Sequence, residues 1–206
     1  MKEIGKGLQF TVYDLENGRV LKIPNSIDDM KKILIKWNPS LLINSKDLNE
    51  KIDYYLVLTE KSMVGIKNSN INLEILGNPI FLDDNKIEQD KVKMISDCLQ
   101  GEIDNQKKVI DEFIILTIES WKNGFSDIVF NLKINSGIDK NGKAILSDFG
   151  ELTFDKEIVK SRMKYIAVIG TASIPMTRPT KMPRHSSNAV TAISFIGILS
   201  TKFSSR

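Results

Sequence analysis

The chain opens on a β pattern and then turns helical. Phe10, Thr11, Val12 and Tyr13 form a β-favouring run, Asn17-Gly18 supplies a tight turn, and Val20-Leu21-Lys22-Ile23 returns as a second strand ended by Pro24. Residues 28–37 place Met30, Ile33, Leu34 and Trp37 on one helical face. A second helix is predicted over 47–63, with Ser45 as its cap and acids in its first turn. Residues 72–82 read as strand around Gly77-Asn78-Pro79. Two further helical patterns cover 88–99, ending at Gly101, and 105–122. In the latter, Val109, Phe113, Leu116 and Trp121 make the apolar stripe and Gly124 the stop. A second hairpin is predicted from 134–138 and 144–147 about Asn141-Gly142. It leads straight into Asp148-Phe149-Gly150-Glu151-Leu152. The order is a small strand-rich part, then helices, then a hairpin that ends in an acid, and no internal repeat is visible.

Composition adds a division that periodicity does not show. At 206 residues the chain has room for one domain, or one domain and a tail. Residues 1–157 hold all 26 acids against 21 bases, a net of −5, and 20 of those bases are lysine. Residues 158–206 hold no acid and eight bases, four of them arginine. Asparagine is frequent before this break and occurs once after it, at Asn188, and the single histidine, His185, also follows it. The tail is rich in serine and threonine and carries Pro175, Pro179 and Pro183. Three readings stand for it: a non-native sequence from a frameshift or truncation, a disordered regulatory tail, or a basic arm for nucleic acid or an anionic membrane. The change in residue usage favours the first, and the scatter of the bases counts against the last.

The expected division is therefore 1–82, 83–157 and 158–206. The opening MKEIGKG is not an apolar leader. The longest apolar run, 190–199, is broken by Thr191, Ser194 and Gly197 and is too short to span a bilayer. The lone Cys98 excludes an internal disulfide, falls in an apolar helical pattern as inert core, and suits a reducing, cytoplasmic setting.

Two groups of residues could carry chemistry. Ile4-Gly5-Lys6-Gly7 begins a glycine-rich stretch. A dinucleotide fingerprint needs a helix after the glycines, and here a β-hairpin follows, with Phe10 at the third glycine position. A Walker loop is excluded because no Gly-Lys-Ser or Gly-Lys-Thr follows. What remains is a glycine loop leading into a hairpin whose returning strand carries Lys22. The second group is Asp148-Phe149-Gly150, at the end of a short apolar strand. Asn135 lies 13 positions earlier with a hairpin turn between, so an amide oxygen and a carboxylate could meet at one hairpin edge and hold a metal.

Together these residues resemble the protein-kinase-like superfamily. Asn131-Leu132-Lys133-Ile134-Asn135, the turn at Asn141-Gly142 and Asp148-Phe149-Gly150 look like its catalytic and metal loops, and Gly5, Gly7, Val12 and Lys22 look like its glycine loop and phosphate-binding lysine. The likeness is patchy and covers residues 4–157. It implies an α+β, two-lobed fold with a small strand-rich N-lobe and a truncated helical C-lobe. It also implies ATP and Mg²⁺ as ligands. Lys22 would meet the α- and β-phosphates, Asn135 and Asp148 would hold magnesium, and Glu60, with Glu50 as rival, would pair with Lys22. For either acid an ordinary solvated helix face is an equal reading.

The departures bear on activity. The family's catalytic aspartate would stand five positions before Asn135, where this chain has Phe130, followed by Asn131. Asp127 lies three positions further back. No Ala-Pro-Glu follows Glu151. The expected function is ATP binding with phosphoryl transfer to a protein or small-molecule hydroxyl. The alternatives are a pseudokinase acting as a binding module, and a truncated product without activity. Nucleic acid is not an expected partner, because the predicted folded part is acidic.

Overall fold

A computed structural model describes residues 1–129 and 131–171, with 164–171 described by backbone alone. Phe130 lies outside the described residues, as do His185, the apolar run 190–199 and the rest of the basic tail beyond Thr171.

The strands β1 (Lys2–Lys6), β2 (Phe10–Asp14) and β3 (Arg19–Pro24) form an antiparallel meander. β5 (Ile87–Asp90) pairs with the other edge of β3 and β4 (Ile80–Phe81) lies outside it, giving the order β1-β2-β3-β5-β4. Along β3, Val20 and Lys22 are buried while their neighbours are partly exposed, the period-two alternation of a strand with one covered face. The turn between β2 and β3 spans four residues, with Glu16 at φ 62° and Gly18 at φ 84°. Asp14 and Asn17 side chains accept the backbone N–H groups of Glu16 and Arg19.

Two helices follow. In α1 (Ile27–Trp37) Ser26 caps the first turn, its hydroxyl accepting from the Asp29 N–H. In α2 (Ser45–Asn68) the cap is Asn44, one residue before the predicted Ser45. Leu8, Met30, Leu34, Leu41, Leu48 and Ile52 form one apolar cluster. Trp37, expected on the covered face of α1, is 61% exposed, and Leu41 from the 3-10 turn Pro39–Leu42 completes the cluster instead.

The helix predicted over 88–99 does not form. That stretch contains β5, β6 (Lys93–Met94) and the single turn α3 (Ile95–Cys98). Ile87 and Gln89 are buried, and the alternate residues Glu88 and Asp90 bind Arg19, the only arginine before residue 158. This alternation of period two prevailed over the helical pattern. Residues 72–82 are likewise only partly strand. Asn72 caps a 3-10 turn, Leu73–Leu76, which Gly77 closes at φ 67°, and the strand is Ile80–Phe81 alone.

The remaining elements are α4 (Ile103–Lys122), β7 (Ser126–Asp127), α5 (Leu132–Asn135), β8 (Ser136–Ile138), β9 (Ala144–Leu146), β10 (Leu152–Thr153) and α6 (Lys156–Thr171). β6, β8 and β9 make one antiparallel sheet, and β7 pairs with β10. The predicted first strand of the second hairpin, 134–138, begins two residues late, because Asn131 caps a helical turn that ends at Asn135. Gly137 is where β8 meets the chain leaving β5. A Cβ there would lie 2.3 Å from Val92 Cγ2, so only glycine allows that approach. The main core draws on α2 (Ile66), β5 (Ile87), α4 (Leu116), β9 (Leu146), Phe125 and Phe149. Cys98 is half-buried at the end of α3 rather than in this core. The fold is thus mixed helix and sheet with an antiparallel N-terminal sheet. Among the described residues no helix is long and apolar enough to cross a membrane. Helix α6 runs across residue 158, where the acids stop, with Val159 buried against the body.

Candidate functional site

Three predicted residues lie side by side across the sheet: Gly5 pairs with Val12, and Val12 with Lys22. Lys22 is 7% exposed. Its ammonium donates to the Ser147 carbonyl and sits 4.6 Å from the centroid of the Phe149 ring. Burial pulls its pKa below the usual lysine value, and the nearby Asp148 carboxylate opposes that. A lysine on the N-terminal sheet thereby reaches the segment 125 residues away that holds Asp148.

Gly7 donates its N–H to the Phe10 carbonyl at 2.9 Å. Asn25 fixes this loop. Its side-chain amide donates to the carbonyls of Gly7 and Leu8, each at 2.9 Å, and its N–H donates to the Gln9 carbonyl at 2.8 Å. Leu8 is buried among α1 and α2. Gln9 donates to the Glu151 carboxylate at 3.2 Å, so the tip of the glycine loop touches the stretch after Asp148. Glu151 has a raised pKa, first through burial and then through the charges of Asp148 and Asp127, against which the Gln9 contact acts.

Asn135 and Asp148 are brought together through the backbone. The Asn135 carbonyl accepts the N–H groups of Ser147, at 2.8 Å, and Asp148, at 3.0 Å, which pins the two residues together. The Asn135 side-chain NH₂ donates to Asp127 at 2.9 Å, which leaves the amide oxygen as the acceptor of that side chain. One Asp148 oxygen accepts the Gly150 N–H at 3.2 Å. Among the described residues no three His, Cys, Asp or Glu side chains cluster as a metal cage. An amide and a carboxylate are hard oxygen donors, and such a pair fits a magnesium ion that takes its other oxygens from phosphate and water.

Helix α2 holds the same segment from behind. Ser62, fully buried, donates its hydroxyl to the Phe149 carbonyl and accepts the Leu152 N–H at 3.2 Å. One turn on, Gly65 lies flush against Phe154, where a Cβ would fall 2.2 Å from the ring. The predicted partner acids of Lys22 are elsewhere. Glu60 is exposed on α2, Glu50 is exposed and lies 3.8 Å from Lys46, and among the described residues no ion pair joins either to Lys22.

Five positions carry site geometry that the sequence did not assign: Gln9, Asn25, Ser62, Asp127, and Arg162 on α6, whose guanidinium donates to the Asp127 and Ile128 carbonyls. Asp127 was visible as the acid three positions before Phe130. The others act through contacts between distant segments, for which a single sequence holds no signal.

No protein-family model matches the chain, and no curated protein matches it. Similar solved structures include Rv3197 with erythromycin from Mycobacterium tuberculosis, at 11% identity and a TM-score of 0.48, covering 97% of this chain and 72% of that one. WbdD with a kinase inhibitor is similar at 16% identity and a TM-score of 0.44, covering 96% and 44%. A second WbdD structure stands at 13% and 0.47, covering 92% and 48%. The chain spans less than half the length of either WbdD chain.

Proposed function

We propose that the chain binds ATP with magnesium in a protein-kinase-like cleft between the N-terminal sheet and the β8–β9 hairpin. The observation that carries this reading is the convergence of Lys22, from the N-terminal sheet, on the segment that holds Asn135 and Asp148 more than a hundred positions away. Lys22 would place its charge on the phosphates, the glycine loop would cover them, and Asn135 and Asp148 would hold the metal. Bound magnesium would neutralise developing phosphate charge. The protein's own part is to position the nucleotide and exclude water, which needs few residues. Asn131 cannot accept a proton as a carboxylate does, and neither can a phenylalanine at position 130. Transfer to a protein or small-molecule hydroxyl should therefore be slow, by about 10² to 10⁴-fold, the usual contribution of a general base.

A binding module without turnover is the second reading, and the same two residues favour it. The test is incubation with ATP labelled on the γ-phosphate, alongside equilibrium binding of ATP. Binding with slow or absent transfer is expected. Failure to bind ATP would overturn the proposal, and transfer at ordinary enzymatic rates would overturn its second half.

A further inference from the structure

We propose that Arg162 is a positioning residue for the magnesium-binding amide of Asn135, acting through Asp127. This assignment rests on the nucleotide reading above.

The Asn135 NH₂ is engaged by Asp127 Oδ2 at 2.9 Å, and that bond sets which way the amide oxygen faces. Asp127 must therefore be held. Its other oxygen accepts the Val129 N–H at 2.9 Å, so the carboxylate is fixed to the backbone that carries it. Beyond the Ile128 N–H bond to the Glu151 carbonyl, at 2.9 Å, and Trp121 Nε1 donating to Ser126 Oγ, at 3.3 Å, that backbone rests on a short strand pairing. β7 is two residues long and pairs only with the equally short β10. Strands of that length are marginal without further contacts.

Arg162 supplies them from α6. Its Nη1 donates to Ser126 Oγ, at 3.0 Å, and to the Asp127 carbonyl, and its Nη2 donates to the Ile128 carbonyl at 3.0 Å. One rigid guanidinium thus grips three consecutive residues, a task its planar fork suits and a lysine ammonium does not. The charge of Arg162 also offsets that of Asp127 where Asp148 and Glu151 add two more carboxylates. The line runs Arg162 to the β7 backbone, to Asp127, to Asn135. It begins in the acid-free stretch and ends at the metal position.

The effect should fall on the metal and not on the nucleotide itself, because Lys22 and the glycine loop are untouched. Calorimetry of the full chain with ATP, with and without magnesium, separates the two. Arg162→Met should lose about tenfold of the magnesium enhancement and keep magnesium-free affinity within about twofold. Arg162→Lys keeps the charge and the aliphatic stem, and serves if Arg162→Met does not fold. It should lose most of the same enhancement. Full enhancement in the variant that folds would overturn the assignment, and so would equal loss with and without metal, which marks a merely structural role. If the unmodified chain shows no magnesium dependence, the nucleotide reading falls and this assignment with it. Dependence that survives the substitution removes the assignment alone.

Discussion

Lys22 is a cation in a place that disfavours cations. Its partners are a carbonyl and an aromatic face, and in the described structure no carboxylate forms an ion pair with it. Such a group destabilises the ligand-free protein, and on the proposed reading phosphate is what it meets. Its folded pKa is depressed below 10.5. Between that depressed value and 10.5 the unfolded chain holds more protons, so stability rises with pH across that window, while below it the cost is constant. Lys22→Met should therefore stabilise the ligand-free protein at neutral pH, on the order of 1 kcal/mol, and should abolish ATP affinity. Urea unfolding from neutral to strongly alkaline pH should show the advantage shrinking as the parent's lysine discharges. Glu151 has the opposite sign. Its pKa is raised above 4.5, so the folded state is most favoured when this group is protonated, and stability is lost as pH rises through the folded value. Glu151→Gln keeps an acceptor for Gln9. It should melt higher than the parent near pH 7, with the difference vanishing as pH falls to about 4.5. An unchanged difference at both ends would contradict the assignment of that carboxylate as buried strain.

Helix α2 is the element on which the site's rear wall depends. Its hydroxyl at Ser62 satisfies two backbone groups of the segment after Asp148. Ser62→Ala leaves both buried and unpaired, and should cost about 1 to 3 kcal/mol by denaturant titration. A change below about 0.5 kcal/mol would mean the contact is dispensable. The reach of sequence reasoning is visible at this scale. The β2–β3 hairpin, α1, α2, α4 and the β8–β9 hairpin were legible, because each carries its own periodicity and its own turn residues. The helix expected over 88–99 was not, because Gln89 is buried through bonds to the Leu76 and Leu146 carbonyls that no local pattern announces. β7, β10 and α5 are too short to leave a period. In the candidate site, spacing and strand context singled out Lys22, Asn135 and Asp148, whose segments the fold brings together. Asn25, Ser62 and Arg162 were not, since each acts across a gap of sequence that only the fold closes.

Over the whole molecule, three segments meet at the proposed site. The N-terminal sheet supplies a buried cation, the residues flanking the β8–β9 hairpin supply the proposed oxygen donors, and α6 contacts the strand beside them. The claim common to all of this is that Asp148 faces a metal that carries phosphate. The direct measurement is calorimetric titration of ATP into the chain and into Asp148→Ala, each with and without magnesium. The account predicts tighter binding with magnesium for the parent, and equal, weaker binding in both conditions for the variant. Equal and negligible binding by both proteins in every condition would contradict it.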